Sequence, residues 1–349
     1  MSERPLHWIG IDVAKETFEA GLGFAGQRPT TETFRCVPVK SFLRTPEGVA
    51  ELLAWVDEQL TSRPEAFHLR AVMEATSFYS LELCAWLNQA RPELAPAIAD
   101  PAQTHAYVKS LKLRNKTDRT DARALSFYGV ERHPKPYEAL SEEHQQLREL
   151  VRYRDVLITE KVAEGNRTEQ EPANKALRSI QQQRRKQLER NIERVEKEIK
   201  NLLRRSPKLQ RDYELLTSIP GVAFVTAIVI LSEMGDLRRF TRARQATAYA
   251  GVTPRRVESG TSVNKKTKMS KKGNPRVRKA LYMAAMTTIR TSPELRRIYD
   301  KIKQRSGKGA VALGVIMRKL VTIMRALLIT ETPFEACGKL GGKQRRCTT

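Results

Sequence analysis

Two short apolar runs in the first quarter of the chain each end on a carboxylate: Trp8-Ile9-Gly10-Ile11 leads into Asp12, and Leu69-Arg70-Ala71-Val72-Met73 into Glu74. Runs of this length and composition predict strands. Farther on, Asp118 and Asp121 stand three apart in Lys116-Thr117-Asp118-Arg119-Thr120-Asp121-Ala122-Arg123, at the start of a predicted helix. Residues three apart share a helical face, so both carboxylates can converge on one point with those at the strand ends. Hard oxygen ligands of this kind suit Mg²⁺, which takes one or two protein carboxylates and keeps positions open for phosphate and water. Four of them are enough for a pair of ions about 3.5–4 Å apart, the arrangement used for in-line displacement at phosphorus.

Each residue alone has an ordinary reading. A single Asp after a strand is usually a turn or cap residue, and Asp-x-x-Asp is usually a solvated helix start beside a positive dipole end. The order strand-Asp, strand-Glu, helix-Asp-x-x-Asp within one segment of domain size favours the metal reading for the four together.

Charge divides the chain. The formal net charge is +24, which calls for a polyanionic partner. Residues 1–137 carry 17 Lys and Arg against 17 Asp and Glu, residues 138–250 carry 22 against 17, and residues 251–349 carry 24 against 5. The excess therefore lies in the last hundred residues, where attraction to nucleic acid is strongest. Cys36, Cys84, Cys337 and Cys347 have no Cys-x-x-Cys spacing, so neither a zinc site nor a disulfide framework is indicated. A reducing cytoplasm is the simplest setting. The N-terminus lacks a signal-peptide stretch, and the apolar run Val222 to Leu231 is far short of the roughly 20 residues a membrane span needs. No membrane partner is expected.

The first segment alternates strands and helices after an opening hairpin over 6–23, with a third strand predicted near Thr33–Val37 and a helix opened by Thr45-Pro46-Glu47. This is an α/β pattern. Residues 141–165 and 174–205 are long charged helices broken at Pro172. Leu188, Ile192, Val195, Ile199 and Leu202 follow the 4-3-4-3 spacing of a coiled-coil seam. The hairpin of helices reads equally as a spacer, a protomer contact or a prop within one chain. The remainder is mainly helical. Ser218-Ile219-Pro220-Gly221 resembles a helix-hairpin-helix turn with Ala223 in place of its second glycine, and a plain helical turn fits as well. Asn274-Pro275 and Ser292-Pro293 open helices, and a last helix covers about 309–329.

Between two of these helices, residues 251–273 form a polar loop rich in cations and hydroxyls. Arg255, Arg256, Lys265, Lys266, Lys268, Lys271 and Lys272 are its candidate phosphate contacts. Ser259 stands among them before Gly260; by residue type alone it is an ordinary loop hydroxyl.

In order and spacing, Ile9-Gly10-Ile11-Asp12-Val13-Ala14-Lys15, Met73-Glu74-Ala75-Thr76, Arg114 to Arg123, Ser218-Ile219-Pro220-Gly221, and Gly251 to Arg256 through Glu258-Ser259-Gly260 resemble the motifs of the DEDD transposases of bacterial insertion sequences, the IS110 family. The likeness runs nearly end to end. It implies an RNase H-like (RuvC-like) N-terminal domain over 1–137 in which Asp12, Glu74, Asp118 and Asp121 bind Mg²⁺. It also implies a C-terminal transposase domain, mainly α and spanning 207–332 here, with Ser259 as nucleophile. The residues themselves predict a coiled-coil helical hairpin over 138–206 and a basic, disordered tail over 333–349, the tail being longer than the family pattern. The implied activity is DNA recombination guided by an element-encoded bridge RNA that pairs with donor and target duplexes. Dimers or tetramers with active sites shared between protomers, associated with the bacterial nucleoid, are implied too. Two other classes stay open: a Holliday-junction-type, Mg²⁺-dependent nuclease that uses water, and a non-catalytic nucleic-acid-binding protein. Joined products and the Ser259 segment separate the first from a recombinase; metal dependence separates the second.

Overall fold

The structure, a computed structural model, describes residues 4–61, 67–76, 78–111, 117–138, 140–168, 174–259 and 263–334, with the side chains of 168 and 256–268 outside that description. The chain divides into two compact units, Met1–Ala139 and Leu140–Thr349.

The first unit runs β1 (Leu6–Val13), β2 (Thr17–Gly23), α1 (Thr31–Cys36), β3 (Val39–Leu43), α2 (Pro46–Leu60), β4 (His68–Glu74), α3 (Tyr79–Ala90), β5 (Ala97–Ala99), α4 (Pro101–Ser110) and α5 (Asp118–Arg132). Its five strands form one mixed sheet in the order β3-β2-β1-β4-β5. β1 and β2 are antiparallel, as are β2 and β3, whereas β4 lies parallel to both β1 and β5. Alternation along β1 sends Ile9, Ile11 and Val13 into a core with Leu52, Val56, Leu83 and Leu87 of α2 and α3. Trp8 points to the opposite face and packs with Val72, Ala124 and Phe127.

The third strand is displaced from the predicted segment near Thr33–Val37. Residues 31–36 are helical because Thr30 accepts from the backbone N–H of Thr33 while the Thr33 hydroxyl accepts from that of Thr30, a reciprocal cap. The strand begins two residues after Val37, at Val39. Helix α2 starts where Thr45-Pro46 predicts, with the Thr45 hydroxyl accepting from Gly48 N–H.

On its open face the sheet carries α5 at very short range. A Cβ on Gly10 would lie 2.0 Å from the Ser126 nitrogen and 2.4 Å from the Ala122 carbonyl oxygen, both backbone atoms of α5. Gly10 therefore lets the helix rest on the strand without an intervening side chain.

The second unit runs α6 (Glu142–Thr168), α7 (Lys175–Arg205), α8 (Pro207–Thr217), α9 (Phe224–Met234), α10 (Ala243–Tyr249), β6 (Pro254–Ser259), β7 (Val263–Met269), α11 (Pro275–Thr291), α12 (Pro293–Ser306) and α13 (Gly309–Thr330). The ion pairs Arg154–Glu196, Lys161–Glu189 and Arg184–Glu164 step in opposite directions along α6 and α7, so the two helices are antiparallel. The seam residues Leu188, Ile192, Val195, Ile199 and Leu202 are buried and belong to one core with Leu147, Val151, Leu215, Ile228, Leu281 and Leu320. Between α8 and α9, Gly221 has φ +90°, and a Cβ there would meet the Thr288 nitrogen at 2.5 Å. Thr288 Oγ1 donates to the Pro220 carbonyl at 2.9 Å and fixes this turn against α11.

Buried charge ties the same elements together. Glu233 of α9 is 1% exposed and accepts from Arg152 of α6 at 2.8 and 3.0 Å and from Asn274, the N-cap of α11, at 2.9 Å. Burial raises the Glu233 carboxyl, but the bonds from Arg152 and Asn274 outweigh it and hold the group below the ordinary glutamate value. Among the described residues, no helix is long and apolar enough to cross a membrane.

Two outcomes follow for stability. Gly10→Ala should cost about 3 kcal/mol through overpacking, whereas Gly165→Ala, where a Cβ meets nothing within 4 Å on helix α6, should gain up to about 1 kcal/mol; denaturant unfolding measures both. Glu233→Gln should lose about 2 kcal/mol at neutral pH. Because the folded carboxyl titrates below the unfolded one, its stabilisation is present above the ordinary value of 4.5 and is lost as pH falls through the lower folded value. The gap between parent and variant in melting temperature should therefore shrink in acid, and a gap independent of pH would remove the charged pairing from the account.

Candidate functional site

Asp12 is the seventh residue of β1, and Glu74 is the last of β4. The parallel register pairs Gly10 with Val72 and Ile11 with Met73, so the next step along both strands brings Asp12 and Glu74 side by side at one end of the sheet. They lie on the face that α5 covers, as do Trp8 and Gly10. Asp118 is the first residue of α5, and Asp121 follows within its first turn, just before the Ala122 that meets Gly10. The short approach at Gly10 thus carries the start of α5 to the strand ends. Thr117 caps the helix, its hydroxyl accepting from Thr120 N–H at 3.2 Å, and acidic residues in a first turn oppose the positive end of the helix dipole.

Two side chains beside these carboxylates were not among the candidates. Thr104 of α4 is 1% exposed and donates its hydroxyl to Glu74 Oε2 at 2.6 Å, which fixes the orientation of that carboxylate. Glu19 of β2 is the direct cross-strand partner of Asp12 and lies 3.7 Å from Arg119 Nε, between Asp118 and Asp121 in sequence. Its signal was present in the sequence: a hairpin that pairs Val13 with Phe18 puts Glu19 opposite Asp12. Nothing in sequence spacing links Thr104 to Glu74.

The donor set has the chemistry a hard divalent cation needs, with carboxylate oxygens from two strand ends and one helix start. Among the described residues, no three His, Cys, Asp or Glu side chains gather closely enough to hold an ion as they stand. A hydrogen-bonding partner that orients a carboxylate, as Thr104 does for Glu74, is what ligating carboxylates ordinarily have around them.

In the second unit, the predicted polar loop is a two-stranded antiparallel hairpin at its centre. The register sets Arg255 opposite Lys268, Val257 opposite Lys265 and Ser259 opposite Val263, with an irregularity between Arg255 and Val257. Ser259 is the last residue of β6 and pairs with Val263, the first of β7. The side chains of Arg256, Ser259, Lys265, Lys266 and Lys268 lie outside the described residues. Lys271 and Lys272 are exposed just after β7, Lys271 with φ +56°. Ser270 N–H donates to the Thr253 carbonyl at 2.8 Å and Asn274 N–H to that of Tyr249 at 2.8 Å, closing the root of the hairpin.

Residues 9–171 match the model of the DEDD transposase domain of IS110, and residues 213–300 match that of the transposases of the IS116/IS110/IS902 family. A pilin gene-inverting protein of Moraxella lacunata is 29% identical over 94% of this chain and 97% of its own length. A transposase for insertion sequence element IS1111A of Coxiella burnetii is 26% identical over 55% of this chain and 59% of its own. The DEDD domain implies the use of a divalent metal, and the first unit has the RNase H-like architecture, with a mainly helical region after it. The chain belongs to the IS110/IS116/IS902 family of transposases, enzymes of DNA transposition, with a DEDD N-terminal domain and the family's C-terminal transposase domain.

Proposed function

We propose that this transposase is an RNA-guided recombinase that exchanges DNA strands through a serine ester at Ser259, with Mg²⁺ held by Asp12, Glu74, Asp118 and Asp121. The observation that carries the reading is the backbone register of the β6–β7 hairpin. It pairs Ser259 with Val263 at the end of the ladder and sets Arg255 directly opposite Lys268. Like charges paired across strands are destabilising unless an anion lies between them, so the hairpin is suited to a phosphate backbone, and Ser259 stands at its end.

The step balances as a transesterification. The Ser259 oxygen forms a bond to phosphorus as the bond from phosphorus to the departing strand breaks, and the hydroxyl proton ends on the departing oxygen. A free hydroxyl of another strand then reverses the step, restores the serine and joins that strand. A phosphoserine ester keeps the phosphate activated for rejoining, whereas attack by water discards that activation. Arg255 and the lysines of the hairpin neutralise the non-bridging oxygens. When bound, Mg²⁺ supplies charge neutralisation at a reacting phosphate oxygen. Thr104 holds one oxygen of Glu74, leaving the other for a ligand.

The rejoining reading over simple hydrolysis is supported by the relative that matches nearly end to end and is named for inverting a gene, since inversion requires ends to be joined again. Guidance by RNA rests on the resemblance to the family and on the excess of +19 in residues 251–349. A protein guided in this way reads shape and backbone while base pairing reads sequence. Assembly into oligomers is supported by Val162, Leu177 and Ile180, exposed apolar residues toward the end of the α6–α7 hairpin remote from its shared core.

Replacing any of Asp12, Glu74, Asp118 or Asp121 by Ala should abolish recombination while the melting temperature without metal holds or rises, because like charges are removed. Thr104→Val should raise the Mg²⁺ concentration needed for half-maximal activity several-fold, and Thr104→Ser should restore it. Recombination surviving in two of the four Ala variants would end the metal assignment. Ser259→Ala should bind RNA and DNA as the parent does, yet give no strand exchange and no protein–DNA adduct on a denaturing gel. Joined product from that variant would return Ser259 to an ordinary hydroxyl.

A further inference from the structure

A cavity of about 630 Å³ opens where α10 and α13 meet the segment that leads into β6. Its polar wall consists of Arg244 and Thr247 from α10, Thr253 before β6, and Arg318, Lys319 and Thr322 from α13. The helical spacing explains the convergence. Arg244 and Thr247 are three apart, and Arg318 and Thr322 four apart, so each pair shares a face. No carboxylate and no aromatic ring belongs to the described residues of this wall.

Neighbouring arginines are used by the fold. Arg325 donates to the carbonyls of Phe240 and Thr241 at 2.8 and 3.0 Å, Arg238 pairs with buried Asp212 at 2.7 Å, and Arg239 lies over the rings of Phe240 and Tyr249. Among the described residues, the head groups of Arg244, Arg318 and Lys319 have no such protein partner. Thr247 and Thr322 donate their hydroxyls back to the carbonyls of Arg244 and Arg318 at 3.0 and 3.1 Å, so the charged donors of the cavity are the three cations. Three like charges around one cavity repel, and an anion relieves that repulsion.

We propose that this cavity is a seat for the phosphate backbone of duplex DNA, entered along the β6–β7 hairpin. The volume exceeds that of one phosphate, and without an aromatic surface it suits backbone contact rather than base stacking. Thr253 and Pro254 belong to its wall and continue into Arg255 of β6, which is exposed, so a backbone seated here runs on to Arg255. DNA is the polyanion that transposition acts on. The inference rests on the hairpin facing nucleic acid and is independent of Ser259 as nucleophile.

The test is binding of the full chain to a DNA duplex of arbitrary sequence over a range of salt. The comparison is between the parent, the triple variant Arg244→Gln, Arg318→Gln, Lys319→Gln, and a hairpin variant with Lys265, Lys266 and Lys268 changed to Gln. Each lost phosphate contact reduces the slope of log affinity against log salt by about 0.9, so the triple variant should be shallower by about 2.7. If its melting temperature drops, Lys319→Gln alone, at an exposed position, should still reduce the slope by about 0.9. An unchanged slope in the cavity variants with a reduced one in the hairpin variant overturns the cavity proposal alone. Unchanged slopes in both overturn the hairpin reading with it. A reduced slope for single-stranded RNA but not for the duplex overturns the assignment to DNA.

Discussion

The contact on which the first unit depends is the seating of α5 on β1 and β2 with no side chain between backbones. A Cβ on Gly10 would run into Ala122 and Ser126, one on Gly21 would lie 3.2 Å from Ala122 and Arg123, and Trp8 packs against Gly129 of the helix. The helix is thereby held near both ends, by small residues at one and by a buried indole at the other. A side chain at position 10 pushes α5 off the strand and moves Asp118 and Asp121 away from the level of Asp12 and Glu74. The geometry of the site is thus set by the absence of atoms at one position, two residues before the first carboxylate.

Electrostatics divides the chain in the same sense. The first 137 residues carry no net charge, so the carboxylates at the sheet end are not outnumbered by cations of their own domain. The second unit spends part of its positive charge internally, on Glu233 and Asp212, both 1% exposed. Each is bonded by an arginine through two hydrogen bonds, which is what allows a carboxylate to be buried at all. Among the described residues, Arg255, Lys271 and Lys272 beside the hairpin root, Arg244 on α10 and Lys319 on α13 are exposed.

Much of this was legible in the chain itself. The strands that carry Asp12 and Glu74 at or next to their ends declare themselves by short apolar runs, and the helices opened by Thr45-Pro46, Asn274-Pro275 and Ser292-Pro293 carry their own caps. Local signals of this kind act over a few residues and need no partner. The helix at 31–36 was hidden because its signal is a pair of threonines, Thr30 and Thr33, that read as β-formers until their hydroxyls are seen to cap each other. The β6–β7 strands were hidden because they carry cations instead of an apolar alternation, and are defined by pairing across the turn. Thr104 was unreadable for a different reason: its bond to Glu74 joins residues thirty apart through tertiary packing of α4 on the sheet.

In the proposed function, three segments distant in sequence meet around a divalent metal. Fe²⁺ in place of Mg²⁺, with ascorbate and peroxide, generates hydroxyl radicals that cut the polypeptide close to the ion, and mass spectrometry locates the cuts. Cleavage is expected at the end of β1 near Asp12, at the end of β4 near Glu74 and at the start of α5 near Asp118, all suppressed together by excess Mg²⁺. Cleavage confined to one of these segments, or placed in the second unit, would contradict it.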